Sequence, residues 1–223
     1  MVQTVHTPAE TVRGAGLWEP AVLIGAPAVA VVARLLTTPW YQDDADQPDS
    51  ARVLADIADA PVRNDVGMLL GLVAALLFAG AAVAVGLRVR EQMPRLGTAG
   101  MLMAVIGGFG LAMFSDLLLL AAQAADVEGE RAAMAELFDQ AYSAPLGNFF
   151  FLLLIVGAVG WVLLSVGLYR KRIGSRAAAV LAGLGGAAVM LTAPGPAISF
   201  IAGAAVISLV GLTWVGAGLH RSR

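Results

Sequence analysis

Long apolar runs dominate the pattern along the chain, and each is bounded by short polar clusters. A helix needs about 20 apolar residues to cross a hydrocarbon core of about 30 Å. The pattern predicts six such spans, near residues 18–37, 66–87, 98–124, 146–169, 176–193 and 197–219. The last two come from one uncharged stretch, Ala177 to Leu219, which is too long for a single crossing. "APGP" at 193–196 divides it, because proline lacks a backbone donor and glycine admits turn geometry. The expected fold class is therefore an all-α membrane protein. It has a cytoplasmic segment at 1–17, a single six-helix domain at 18–219 and a short tail at 220–223.

The polar clusters alternate in sign. The stretch from Gln42 to Asp65 is acidic, and so is "DVEGERAAMAELFDQ". "LRVREQMPR", "YRKRIGSR" and the terminal "HRSR" are basic. Lys and Arg concentrate in short cytoplasmic loops. Of 14 Lys and Arg, all but Arg34, Arg52, Arg63 and Arg131 fall on one side. The expected topology has both termini in the cytoplasm and two acidic loops outside, in the cytoplasmic membrane. "AVA" at 28–30 resembles a signal-peptide cleavage site, but the apolar run continues to Leu36, beyond the roughly 7–15 residues of a signal core. The outer loops are expected to hold some helix, and the first acidic loop specifies it. "DSARVLADIADA" offers Ser50 as a cap, with Val53, Leu54 and Ile57 at helical spacing. It predicts a short amphipathic helix on the outer face.

Composition supports the membrane reading and removes many activities. The 223 residues are 59% hydrophobic and 13% charged, with a mean hydropathy of +0.80. A soluble domain carries about 25% charged residues. The net charge of −2 gives no reason to expect nucleic acid as a partner. No cysteine is present, which excludes disulfides, thiolate nucleophiles and thiolate metal ligands. His6 and His220 lie near the chain ends, so a buried haem or histidine-held metal lacks ligands, and the one lysine, Lys171, lies in a basic loop. There is no zinc-binding H-E-x-x-H and no phosphate-binding Walker loop. No cofactor and no enzymatic activity are expected. "DDADQPD" lacks the Gly and terminal Glu of a calcium loop and reads as a solvated acidic stretch.

Two stretches match in layout. "VGMLLGLVAALLFAGAAVAVGLRVR" and "LGNFFFLLLIVGAVGWVLLSVGLYRKR" each follow an acidic loop, close on "VGL" before basic residues and precede a Gly-rich helix. The period is about 80 residues, with the same topology in both copies, as in a parallel repeat. The Gly patches "GGFG", "GAVG" and "GLGG" read as close helix contacts. Trp18, Trp40, Tyr41, Tyr142 and Tyr169 fall at span ends, as interface anchors do, while Trp161 and Trp214 lie deeper as packing.

With "RGAGLWEPAVLIG", "ARVLADIADAPVRND" and "GLYRKRIGSRAAAVLAGLGG" in this order, the chain resembles a family of uncharacterised bacterial six-helix integral membrane proteins. The resemblance implies the fold and assigns no activity or site.

The chemistry left is sparse. Asp116 interrupts the third span, and a charge at the bilayer centre costs about 2.5–3.5 kcal/mol, so it usually faces the bundle interior with a partner. Arg34, near the outer end of the first span, matches its depth. A structural Asp116–Arg34 pair is the leading expectation. A carboxylate in an outward cavity, taking a proton, cation or amine, is the second, and snorkelling to the outer surface the third. Ser115, Gln123 and Asn148 lie at a similar level and would extend a polar network. Glu19, beside Pro20 in the first turn of a helix, complements its dipole. The function expected is a non-catalytic membrane subunit or small-ligand-binding protein. The alternative is a small secondary transporter or proton-coupled carrier using Asp116. The partners implied are the lipid bilayer, a second copy or another membrane protein, and a small cation or amine.

Overall fold

A computed structural model of the chain describes residues 18–37, 50–125, 131–143, 145–192 and 198–221. Among them are eight helices and no strand: α1 (Trp18–Leu36), α2 (Ser50–Asp59), α3 (Pro61–Gln92), α4 (Pro94–Ala125), α5 (Arg131–Ser143), α6 (Pro145–Lys171), α7 (Arg176–Thr192) and α8 (Ile198–Arg221). The expected break at "APGP", together with Trp40 and Tyr41, lies outside the described residues.

Each expected span coincides with one helix. Four meet the length and apolarity of a membrane crossing: α1, α3, Pro94–Asp116 of α4 and Asn148–Lys171 of α6. The remaining two apolar helices are shorter, Arg176–Thr192 and the Gly203–Gly218 part of α8. At about 1.5 Å per residue α7 reaches only about 26 Å. α3 and α4 run past their expected ends, because helix continues beyond the apolar run. Pro61 and Pro94 start them, where a missing N–H costs nothing. Met93 alone separates the two, its N–H donating to Val89 O at 2.8 Å. The resulting hairpin is so tight that a Cβ on Gly97 would run into the backbone of Arg90.

The six long helices pack as a closed ring, in the order α1, α3, α4, α6, α7, α8 and back to α1. α3 and α6 also meet across the middle, where Phe78 and Trp161 form an edge-to-face pair at 6.2 Å. Small residues make the ring close. Gly107 on α4 and Gly157 on α6 face each other so directly that a Cβ on either would overlap the other's Cα. Without a hydrophobic drive between helices in lipid, such contacts supply the dispersion that holds a membrane bundle together.

The arrangement of side chains inverts that of a soluble protein. The core is rich in alanine, including Ala26, Ala75, Ala81, Ala82, Ala104 and Ala178, none exposed by as much as 1%. Large apolar side chains point outward, and on α4 they form a stripe of Leu102, Ile106, Phe109, Met113 and Leu120 at alternating steps of four and three or seven. An apolar exterior on all sides is untenable in water and required in lipid.

The helix expected in the first acidic loop is α2, and it buries Leu54 and Ile57 against α4 and α5. The second acidic connection holds a counterpart, α5, which packs on α2, α4 and α6. α3 and α6, the long helices of the two similar stretches, each begin with proline and each follow such a short helix.

Candidate ligand cavity at the acidic end

The ring encloses a cavity of about 50 Å³ at the end carrying the acidic connections. α1 supplies Ala30, Ala33, Arg34 and Thr37, spaced so that all four share one helix face. α3 supplies Gly67, Gly71 and Ala74, and α4 supplies Leu111, Phe114 and Ser115. Val189 of α7 and Ala205 of α8 complete the wall. The cavity is therefore built by five of the six ring helices. Phe78 follows Ala74 by one helical turn, so the Phe78–Trp161 pair lies about 6 Å beneath the deepest α3 residue of the wall. Trp161 is 1% exposed, pressed against Gly186, and its Nε1–H has no hydrogen-bond partner among the described residues. The expectation that Trp161 packs is met; Trp214, expected deep as well, is half exposed on the outer face of α8.

Two hydroxyls and one charge give the cavity its chemistry. Thr37 Oγ1 donates to Ala33 O at 3.2 Å, and buried Ser115 Oγ donates to Leu111 O at 3.1 Å. Each hydroxyl hydrogen is thus committed to its own helix, leaving the oxygen able to accept. Arg34 is the one charged residue of the wall among the described residues.

Of the residues singled out in the sequence, the structure brings Arg34 and Ser115 together and leaves the others outside. Asp116 is exposed, and it makes no ion pair with Arg34. The reason is azimuth. Successive helix residues point about 100° apart, so with Ser115 facing the cavity Asp116 faces away from it. It falls on the outward stripe between Met113 and Leu120. It also sits 22 residues along α4 from Pro94, about 33 Å, which is the full thickness of a hydrocarbon core. An acid there reaches the interface, which is the third of the sequence readings. Gln123 and Asn148 are exposed too and line no part of the cavity, so the expected polar network does not form. Among the described residues no three acidic or histidine side chains gather as a metal site.

Sequence reasoning missed a second polar feature, at the basic end. Arg88 on α3 reaches both carboxylate oxygens of Glu19 on α1 at 3.2 Å. Its other terminal nitrogen lies 3.7 Å from Glu91. The Glu19 side chain is only 13% exposed. A carboxylate this sheltered needs more than a helix dipole, and a charge-assisted contact to both oxygens supplies it. Nothing local in sequence joins positions 69 residues apart; the available signal was that both charges sit at the same end of their spans.

These features define, among the described residues, an all-helical membrane bundle with a small, largely apolar cavity toward one end and a part-buried ion pair at the other. No protein-family model, no curated protein and no solved structure matches this chain.

Proposed function

We propose that this is a non-catalytic, six-span protein of the cytoplasmic membrane, with both termini in the cytoplasm, that binds a small ligand from the outer side, alone or as the subunit of a larger assembly. Membership of the six-helix bacterial family that its sequence resembles belongs to the same proposal. The observation that carries the reading is the cavity: five helices converge on a small, largely apolar pocket whose described lining includes Arg34, Thr37 and Ser115. The basic residues at the opposite end, Arg88, Arg90, Arg95, Arg170, Lys171, Arg172 and Arg176 among them, against acidic connections at the cavity end, support the orientation.

Two measurements test it. Reporter fusions at His220 and within Asp43–Asp49 are expected to report the cytoplasm and the exterior respectively; a C-terminal reporter active outside overturns the topology. A thermal-melt screen of small solutes is expected to find compounds that stabilise the detergent-solubilised protein, by about 2.7 kcal/mol at a hundred times Kd. Ala30→Leu, which fills the cavity, is expected to abolish that stabilisation, and solutes acting equally on both proteins argue against the site.

A second reading, a small secondary carrier, draws on one observation: the cavity lies toward one end of the ring, with the Phe78–Trp161 pair packed beyond it and the Glu19–Arg88 ion pair at the other end. In that reading the cavity groups take the role the sequence suggested for Asp116, which faces outward.

A further inference from the structure

We propose that the basic end of the bundle is a docking surface for anionic phospholipid headgroups, formed where the α3–α4 turn meets the α6–α7 turn; this rests on the membrane-spanning reading above and not on the cavity. Gly167 of α6 brings the two turns together. A Cβ there would strike Val89 of α3 and come within 3.0 Å of Leu96 of α4. Arg90 follows Val89 and Arg95 precedes Leu96, while Arg170, Lys171 and Arg172 begin three residues beyond Gly167. With Arg176 these make six basic residues, all exposed, and none has an ion pair among the described residues. The two carboxylates nearby, Glu19 and Glu91, both lie against Arg88 instead. Residues 1–17 and 222–223, outside the described residues, hold a single acid, Glu10, against Arg13 and Arg223. The chain therefore carries too few acids at this end to neutralise the surplus.

Azimuth identifies what does neutralise it. Residues three, four or seven apart share one face of a helix. Arg90 follows exposed Leu87 by three residues, Arg95 precedes exposed Leu102 by seven, and Arg176 precedes exposed Val180 by four. The basic side chains thus continue the outward apolar stripes, not the glycine-rich interior of the ring. Tyr169 is 42% exposed, and the Arg176 guanidinium lies 5.3 Å above its ring. Such an aromatic anchors a helix end at headgroup level. Cations that terminate lipid-directed stripes meet the phosphates of the adjoining leaflet, and the guanidinium fork matches phosphate oxygens two at a time. A zwitterionic headgroup brings its own cation to the contact. An anionic one brings none, so it answers the surplus better.

The test is electron paramagnetic resonance of spin-labelled lipids, with the full chain reconstituted in phosphatidylcholine vesicles. Phosphatidylglycerol and phosphatidylcholine labels are both expected to show a motionally restricted component. Phosphatidylglycerol is expected to be favoured about five-fold, the weight of one basic residue on an anionic surface. Combining Arg95→Gln, Arg170→Gln and Lys171→Gln is expected to bring the ratio close to unity. Arg95→Lys with Arg170→Lys keeps the charge and is expected to keep the preference, as is Arg63→Gln at the opposite end. In about 1 M salt the screening length falls to about 3 Å, and the preference is expected to vanish. If neither label shows a restricted component, the membrane-spanning reading falls and the proposal with it. Restricted lipid with equal ratios overturns the proposal alone and leaves the surface to an acidic protein face. A preference that survives the Gln changes or the salt overturns it as well. Displacement of phosphatidylglycerol by inorganic phosphate at matched ionic strength overturns the lipid in favour of a soluble anion. Should the Gln variant fail to fold, the salt and phosphate measurements decide on the unaltered chain.

Discussion

The two ends of the bundle are built from the same helices and differ in almost every physical respect. At the basic end the connections are minimal: Met93 alone between α3 and α4, and four residues, 172–175, between α6 and α7. In that second turn Arg172 and Gly174 take φ of 53° and 76°, and Ser175 Oγ accepts the N–H of Ala178 to cap α7. Arg176 lies over the Tyr169 ring at 5.3 Å, and Glu19 is held by Arg88. At the acidic end the connections carry whole helices, α2 and α5, and the ring leaves room around Arg34. The contrast separates two tasks. One end fixes the helices relative to each other, so the other can hold a cavity without the ring coming apart.

The sharpest way to break this comparison is to add the same methyl group in two places. At the waist, Gly157→Ala puts its Cβ onto Gly107, backbone against backbone, with no flexible atom to yield. Overpacking typically costs about 1–3 kcal/mol and more where nothing relaxes, so a loss of about 3 kcal/mol or greater is expected. At the cavity, the Cβ of Gly71→Ala meets only Ser115 Oγ at 3.2 Å and Ser115 Cβ at 3.8 Å. Alanine gains up to about 1 kcal/mol of helix propensity over glycine, so the net change is expected to stay within about 1 kcal/mol. Denaturant titration of both variants in mixed micelles checks the pair. Equal losses erase the distinction between a tight waist and a roomy end.

A middle-sized effect is expected at the ion pair. Arg88→Gln removes the Arg88 contact from a Glu19 carboxylate whose side chain is 13% exposed. A hydrogen bond to a charged group contributes about 1.5–3 kcal/mol; with Arg88 itself 24% exposed, about 1–2 kcal/mol is expected. Glu19→Gln added to Arg88→Gln is expected to cost less than the sum of the single changes, a coupling of about 1 kcal/mol measured by a double-mutant cycle in thermal melts. Strict additivity means that the basic end is held by packing alone.

What was readable in the sequence follows the same division. Depth along a helix is legible, because apolar length and charge position give it directly, and all six spans coincide with helices. α2 was legible from the spacing of Leu54 and Ile57, while α5 was expected only as unspecified helix in an outer loop, its "RAAMAELFDQAYS" carrying a weaker apolar face. Azimuth was the failure. Arg34 and Asp116 were matched by depth, yet only Arg34 faces inward. A signal was present: Gly107, Gly108, Gly110 and Ala112 mark the inner side of α4, and Asp116 keeps step with Leu102, Ile106, Phe109 and Met113 on the other. In a bundle packed through small residues, the face with the glycines is the inside, and the face with the large apolar side chains is lipid-directed. The Glu19–Arg88 pair was illegible for a different reason, since a contact between α1 and α3 depends on how the ring closes.

The smallest expected effect belongs to the residue that looked most unusual. Asp116 is exposed, has no ion pair with Arg34, and lies about 33 Å along α4, where the polar interface is within reach. Charges cost little there compared with the bilayer centre. Asp116→Asn is therefore expected to change stability by less than about 0.5 kcal/mol, as surface substitutions do. Combined with Arg34→Gln, its effect is expected to add to within about 0.5 kcal/mol, because the two side chains share no contact. A coupling of 2 kcal/mol or so between positions 34 and 116 would mean that α4 turns its acid toward the cavity in the membrane, and the two ends of the bundle would then differ less than their packing implies.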